Sequence, residues 1–174
     1  KGEFIIEEVN NNVASLEGMI ANLNAETKID LNQSTISLLH TKRDNVSIQS
    51  NNKIKELKVS GKVSNVEVNA DVETVTVNVK DSLQISGKGE VDQIVVNEAK
   101  EFTLDTSGKV KELYIANDEV KVEIGENAKL DRVKIPKDAD ITSIIQNYHE
   151  VKDNIHKIVE SDGKTVDHPG SLVG

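Results

Sequence analysis

A chain of 174 residues without a cysteine must draw its chemistry from carboxylates, histidines, lysines and hydroxyls. Thiol-based zinc sites, iron–sulfur clusters and disulfides fall away. Paired carboxylates come first, because an acid beside a base or nucleophile is the machinery of glycoside cleavage. Glu67 and Glu123 take outward positions on short alternating segments three repeats apart. At the strand spacing that is roughly 14 Å, beyond the wider carboxyl separation used in glycoside hydrolysis. Of the histidines, His40, His149, His156 and His168, only His149 and His156 are near each other, with no carboxylate to fix either ring. The acidic turn residues Asp71, Asp81, Asp118 and Glu126 sit singly, which is too few ligands for a calcium cage. SGKGE at 86–90 reads as a turn, because a phosphate loop opens into a helix and here a strand follows. No Gly-x-Ser-x-Gly, P-loop or His-Glu-x-x-His occurs. We therefore expect no catalytic, metal-binding or cofactor-binding residue. One spot remains: Val95 and Tyr114, outward-facing and one repeat apart, suit contact with a sugar ring or a partner protein.

The composition narrows the class further. The net charge is −9, and the only arginines are Arg43 and Arg132. Nucleic-acid binding through phosphates needs clustered cations, so that class is set aside. Aromatic residues make up 2% of the chain, and the apolar content is mainly Val, Ile and Leu. Such residues suit strands and a thin layered core with little room for rings. No apolar stretch reaches the ~18 residues of a membrane span.

What must position these residues is a repeat. Apolar residues one position apart recur at Val46/Ile48, Leu57/Val59, Val66/Val68, Val75/Val77, Leu83/Ile85 and Ile94/Val96, and on through Val133/Ile135. Each pair marks one face of a short strand. Alternate pairs form two series. Leu57, Val75, Ile94, Leu113 and Val133 are spaced by 18, 19, 19 and 20. Val46, Val66, Leu83, Phe102 and Val122 are spaced by 20, 17, 19 and 20. The first series carries an extra apolar residue three positions earlier, at Ile54, Val72, Val91, Val110 and Leu130. Small or polar turn residues such as Asn69, Asn78, Ser86 and Gly125 follow the pairs. The unit has about 19 residues and two short strands. One such coil cannot bury its own stripe, so coils must stack. The expected fold is an all-β solenoid (β-helix) with parallel stacking. A leucine-rich repeat would show one strand per unit, and the second apolar pair argues against it.

A solenoid needs caps. Val9, Val13, Leu16, Ile20 and Leu23 follow helical steps, and so do Ile141, Ile144, Tyr148, Val151, Ile155 and Ile158. The single domain is thus expected to run as an N-terminal helical cap (1–26), solenoid repeats (27–138), a C-terminal helical cap (139–160) opened by Asp140, and an exit linker (161–174).

The V-x-x-L-x-I repeat with a small turn residue, as in VKELYIAND and VDQIVVNEA, resembles β-helical modules of Gram-positive bacterial cell-surface proteins, notably large exported proteins that accompany S-layer modules. The resemblance covers about residues 46–138. It implies a non-enzymatic extracellular module serving as spacer, adhesion or assembly unit, with cell-wall polysaccharide or another surface protein as partner. The start at Lys1 reads as a fragment of a larger exported protein. Two alternatives are a polysaccharide-binding module using Tyr114 and Val95, and a polysaccharide-cleaving β-helix enzyme.

Overall fold

Branching at Cβ favours extended backbone over helix, and this chain places Val, Ile and Thr at alternate positions. The structure, a computed structural model, describes residues 2–5, 27–30, 38–41, 46–50 and 53–167. Among the described residues fifteen strands divide between two sheets. Sheet A runs β1 (Gly2–Ile5), β2 (Thr27–Asp30), β4 (Val46–Gln49), β6 (Asn65–Asn69), β8 (Ser82–Gly87), β10 (Glu101–Thr106) and β12 (Lys121–Ile124). Sheet B runs β3 (Leu38–Thr41), β5 (Ile54–Gly61), β7 (Val72–Val79), β9 (Val91–Glu98), β11 (Lys109–Ile115), β13 (Lys129–Ile135), β14 (Ile155–Glu160) and β15 (Thr165–Val166). Every neighbouring pair is parallel except the hairpin of β14 and β15. The chain is a β-solenoid of about five turns of ~19 residues, two strands to a turn.

The apolar repeat becomes columns of like residues between the sheets. In sheet B, Ile54, Val72, Val91, Val110, Leu130 and Ile155 stack in register, and beside them Leu57, Val75, Ile94, Leu113, Val133 and Ile158. All are buried. The extra apolar residue of the first series is thus a core column of its own. Two residues lie between it and the next core position, and both face out or sideways. In sheet A the columns are Val66, Ile85, Leu104 and Ile124, and Leu83, Phe102 and Val122. Phe102 is wholly buried, so the thin core does accept a ring between Leu83 and Val122.

The register corrects the spacing of the second series. Val66 pairs with Ile85, whereas the sequence aligned it with Leu83. The slip is two residues. An even slip keeps every side chain on its original face, so alternation alone cannot detect it. Glu67 consequently lies opposite Ser86, and Gln84 opposite Asn65.

The corner after β8 is stacked so closely that side chains are excluded. A Cβ on Gly87, which has φ +109°, would lie 2.1 Å from the carbonyl oxygen of Val68 one coil below. One on Gly89 would lie 1.9 Å from that of Ala70. SGKGE is therefore a turn between strands, and its glycines let adjacent corners touch.

The C-terminal cap is shorter than a 139–160 helix. It consists of α1 (Ile141–Ile144), α2 (Tyr148–Val151) and a 3-10 turn (Lys152–Asn154). Asp140 caps α1 as expected, its side chain accepting from the Thr142 N–H. Ile155 and Ile158 belong to β14 instead of a helix, because pairing beside β13 extends both core columns by one place. The expected exit linker also carries structure. Asp162 and Gly163 turn the chain back, and β15 pairs antiparallel with β14, covering that side of sheet B. Residues 168–174 lie outside the described residues, as do residues 6–26 of the helical cap expected over 1–26. Residues 2–5 form β1, paired with β2.

Sheet A ends differently. Gln146 donates its N–H to the Val122 carbonyl, and the Asn147 carboxamide bonds Ile124 twice. It accepts from the Ile124 N–H at 3.1 Å and donates to the Ile124 carbonyl at 2.7 Å. One side chain thus stands in for a strand's peptide group on the last edge. Beneath it Tyr148, 1% exposed, closes the end of the core with Ile141, Ile144 and Ile145.

Candidate functional site

The outer face of sheet B holds two files of side chains running across the strands. Lys58, Thr76, Val95, Tyr114, Lys134 and Val159 occupy successive strands in register. Beside them run Glu56, Thr74, Gln93, Glu112, Arg132 and Lys157. Val95 and Tyr114 are direct neighbours, both half-buried on the outer face, as the alternation implied. The Lys134 ammonium lies 4.8 Å from the centre of the Tyr114 ring. That cation–π contact occupies ring surface that a sugar would otherwise stack upon. A ligand at Tyr114 therefore meets a cation as well as a ring.

The second file contains a group that sequence reasoning missed. Glu112 is only 8% exposed although it faces outward. Its carboxylate accepts from the Arg132 Nε at 2.8 Å and from the Gln93 amide. The two-residue gap between Val110 and Leu113 hid it, because strict alternation assigns no face to the second of two intervening residues. The recurrence of Glu56, Thr74, Gln93, Glu112 and Arg132 just before each core residue was the available signal.

Farther along the same sheet, Asp92 sits between Lys53 at 2.6 Å and Lys111 at 3.4 Å. The hydrogen bond from Lys53 holds the Asp92 carboxyl below the usual carboxylate range, and Asp92 in turn raises the Lys53 ammonium. Charges on this face are thus partly matched from coil to coil.

The other candidates scatter. Glu67 accepts from the Ser47 hydroxyl and the Asn69 amide, while Glu123 lies in another file, opposite Thr103 and three strands away. They form no acid–base pair. His149 is on α2, edge-on to Tyr148 with ring centres 5.4 Å apart, whereas His156 is on β14. His40 aligns with Lys58 on sheet B, and His168 lies outside the described residues. Among the described residues no three or more histidines and carboxylates are grouped to hold a metal. Asp71 secures its neighbour, accepting from the Glu90 N–H, and Asp81 pairs with Lys100. A shallow depression of about 490 Å³ beside the glycine corner is lined by Glu67, Asn69, Lys88, Asp105 and Thr106 among others. No described helix is long and apolar enough to cross a membrane.

No protein-family model, curated protein or solved structure matches this chain. The geometry of its own surfaces therefore carries the functional reading.

Proposed function

We propose that this chain is a non-enzymatic extracellular module of a bacterial surface protein, a β-solenoid that acts as a spacer, adhesion or assembly unit. The observation that supports it most is the parallel stacking of the coils. Each strand lies on its neighbour with like residues stacked, and the described C-terminal end is closed by Asn147 and Tyr148. Stacked coils of this kind form a rod whose interior is nearly constant and whose outer files vary. The repeat's likeness to β-helical modules of Gram-positive surface proteins supports the extracellular setting.

The test is exposure of the purified chain to bacterial cell wall and to a panel of polysaccharides. Retention on wall material and release of sugar ends are measured in parallel. The reading expects no reducing ends or unsaturated products at any protein concentration. Product that scales with protein and survives purification would make the chain a polysaccharide-cleaving enzyme instead. Protease shaving of intact cells that make the parent protein tests the location, which requires cleavage without lysis.

A second reading, polysaccharide binding, is favoured by one observation. Val95 and Tyr114 adjoin on a flat outer face, with Lys134 at the ring. Under it, Tyr114→Ala weakens saturable retention on cell-wall glycan while leaving the fold intact.

A further inference from the structure

The charges on sheet B are sorted along the solenoid. Strands β5, β7 and β9 carry two basic residues, Lys55 and Lys58, against the four acidic residues Glu56, Glu73, Asp92 and Glu98. Strands β11, β13 and β14 carry six basic residues against three acidic ones. The chain as a whole has a net charge of −9, so this basic end is a local reversal.

The reversal carries a cost. Arg132 pairs directly with Lys157, and Lys109 with Lys129. Like charges opposite each other on neighbouring strands are destabilising. Part of the charge is answered internally: Arg132 by Glu112, Lys109 by Asp131 and Lys111 by Asp92. Among the described residues Lys134 and Lys157 have no ion pair. They lie on adjacent strands, Lys134 over the Tyr114 ring and Lys157 exposed opposite Arg132. Packing gives no reason for Arg132 and Lys157 to be opposed, whereas a bound anion would offset their repulsion.

We infer that the C-terminal end of the outer face of sheet B, centred on Arg132, Lys134, Lys157 and Tyr114, binds an acidic polysaccharide through its carboxylate or phosphate groups. The inference rests on the polysaccharide-binding reading above and names the chemistry of the ligand. Arg132 and Lys157 adjoin in one file, one strand spacing apart at ~4.8 Å, and Lys134 stands beside Arg132 in the other file, a cluster that matches closely spaced anions on a polymer. Tyr114 supplies an apolar edge for the sugar body, and Lys134 turns from the ring toward the anion. Elsewhere the acidic surface repels such a polymer and so confines it to this face.

The test uses polygalacturonate as the carboxylate probe, poly(glycerol phosphate) as the phosphate probe and dextran as the neutral control. Binding is measured by calorimetry at low and high salt. The variants are Lys134→Gln/Lys157→Gln and, as a control of equal charge change, Lys55→Gln/Lys58→Gln on the same sheet. The expected result is saturable binding of one or both acidic probes, weakened by salt. It should fall about tenfold in the first variant and stay near wild type in the second. The tighter probe identifies the anionic group. Dextran bound as tightly as the acidic probes would overturn the inference while keeping polysaccharide binding. No binding of any probe would overturn both. Equal losses in the two variants would overturn the inference by reducing the effect to net charge. Sedimentation velocity without glycan adds a last arm: self-association abolished by Lys134→Gln/Lys157→Gln would assign the face to a second copy and overturn the inference.

Discussion

At the scale of single residues, the core tolerates shape only within narrow bounds. Leu113 is fully buried in the middle of its column, with Ile94 on one side and Val133 on the other. A carboxylate there has no partner in a core one side chain deep from each sheet. Leu113→Asp is expected to cost several kcal/mol out of the roughly 5–15 that stabilise a domain. Circular dichroism should show an unfolded or insoluble chain. A soluble variant with an unchanged melting point would contradict the column assignment. The glycines offer a finer comparison. Gly87 and Gly61 both have positive φ, but a Cβ on Gly87 meets backbone and one on Gly61 meets nothing within 4 Å. Gly61→Ala should therefore cost about 1 kcal/mol from backbone conformation alone. Gly87→Ala should cost more than about 2 kcal/mol, because the corner of the coil must also shift. Denaturant midpoints of the two variants measure the difference, and equal midpoints would mean that the corners are not in contact.

At the scale of elements, the last edges are managed by two devices. Sheet B acquires β14 and the short β15, whereas sheet A ends on a carboxamide. Asn147→Ala removes both bonds to Ile124 and leaves a backbone N–H and C=O to find water in a half-buried place. The expected loss is about 1–3 kcal/mol, visible as a lower melting point and faster amide exchange along Lys121–Ile124. Unchanged exchange would show that α1 and α2 protect the edge by packing alone. How far these elements could be read in advance depended on what each pattern encodes. The columns Ile54–Leu130 and Leu57–Val133 were legible because the strands repeat at nearly constant spacing. Asp140 was legible because N-caps follow a local rule. The helical reading of 141–158 held for two short helices and failed at Ile155 and Ile158, because steps of three and four satisfy a helix face, yet those two residues also reproduce the spacing of Val110 and Leu113. That spacing is the mark of a sheet B strand in this chain, and long-range pairing with β13 decided between the two. The two-residue slip of β6 against β8 was illegible, since alternation has period two. At the candidate site, the adjacency of Val95 and Tyr114 followed from the repeat, but Glu112 and the Lys134 contact depended on side-chain geometry that no repeat specifies.

At the scale of the whole molecule, the end of the core responds to pH. Tyr148 is buried among the cap residues, and burial pushes its phenol above the ordinary value by disfavouring the charged form. A group whose folded value is raised contributes fully below its unfolded value, here ~10, and loses that contribution as pH rises through the folded one. The melting temperature should therefore fall on the alkaline side of pH ~10. Tyr148→Phe should remove that component of the fall, and an identical alkaline profile in the variant would place the weakness elsewhere. Most of the described fold is rod, and its interior changes little from coil to coil.

That sameness has a consequence for the gene. Because Val72, Val91 and Val110 are equivalent places on successive coils, exactly one repeat inserted or deleted between them would leave every column in register. The Tyr148 and Asn147 closure would be untouched, and the rod would change length by a single strand spacing, ~4.8 Å. Unequal crossing-over between neighbouring repeats would then be a nearly neutral event, letting a lineage lengthen or shorten the module by whole coils while its ends and its basic face are kept.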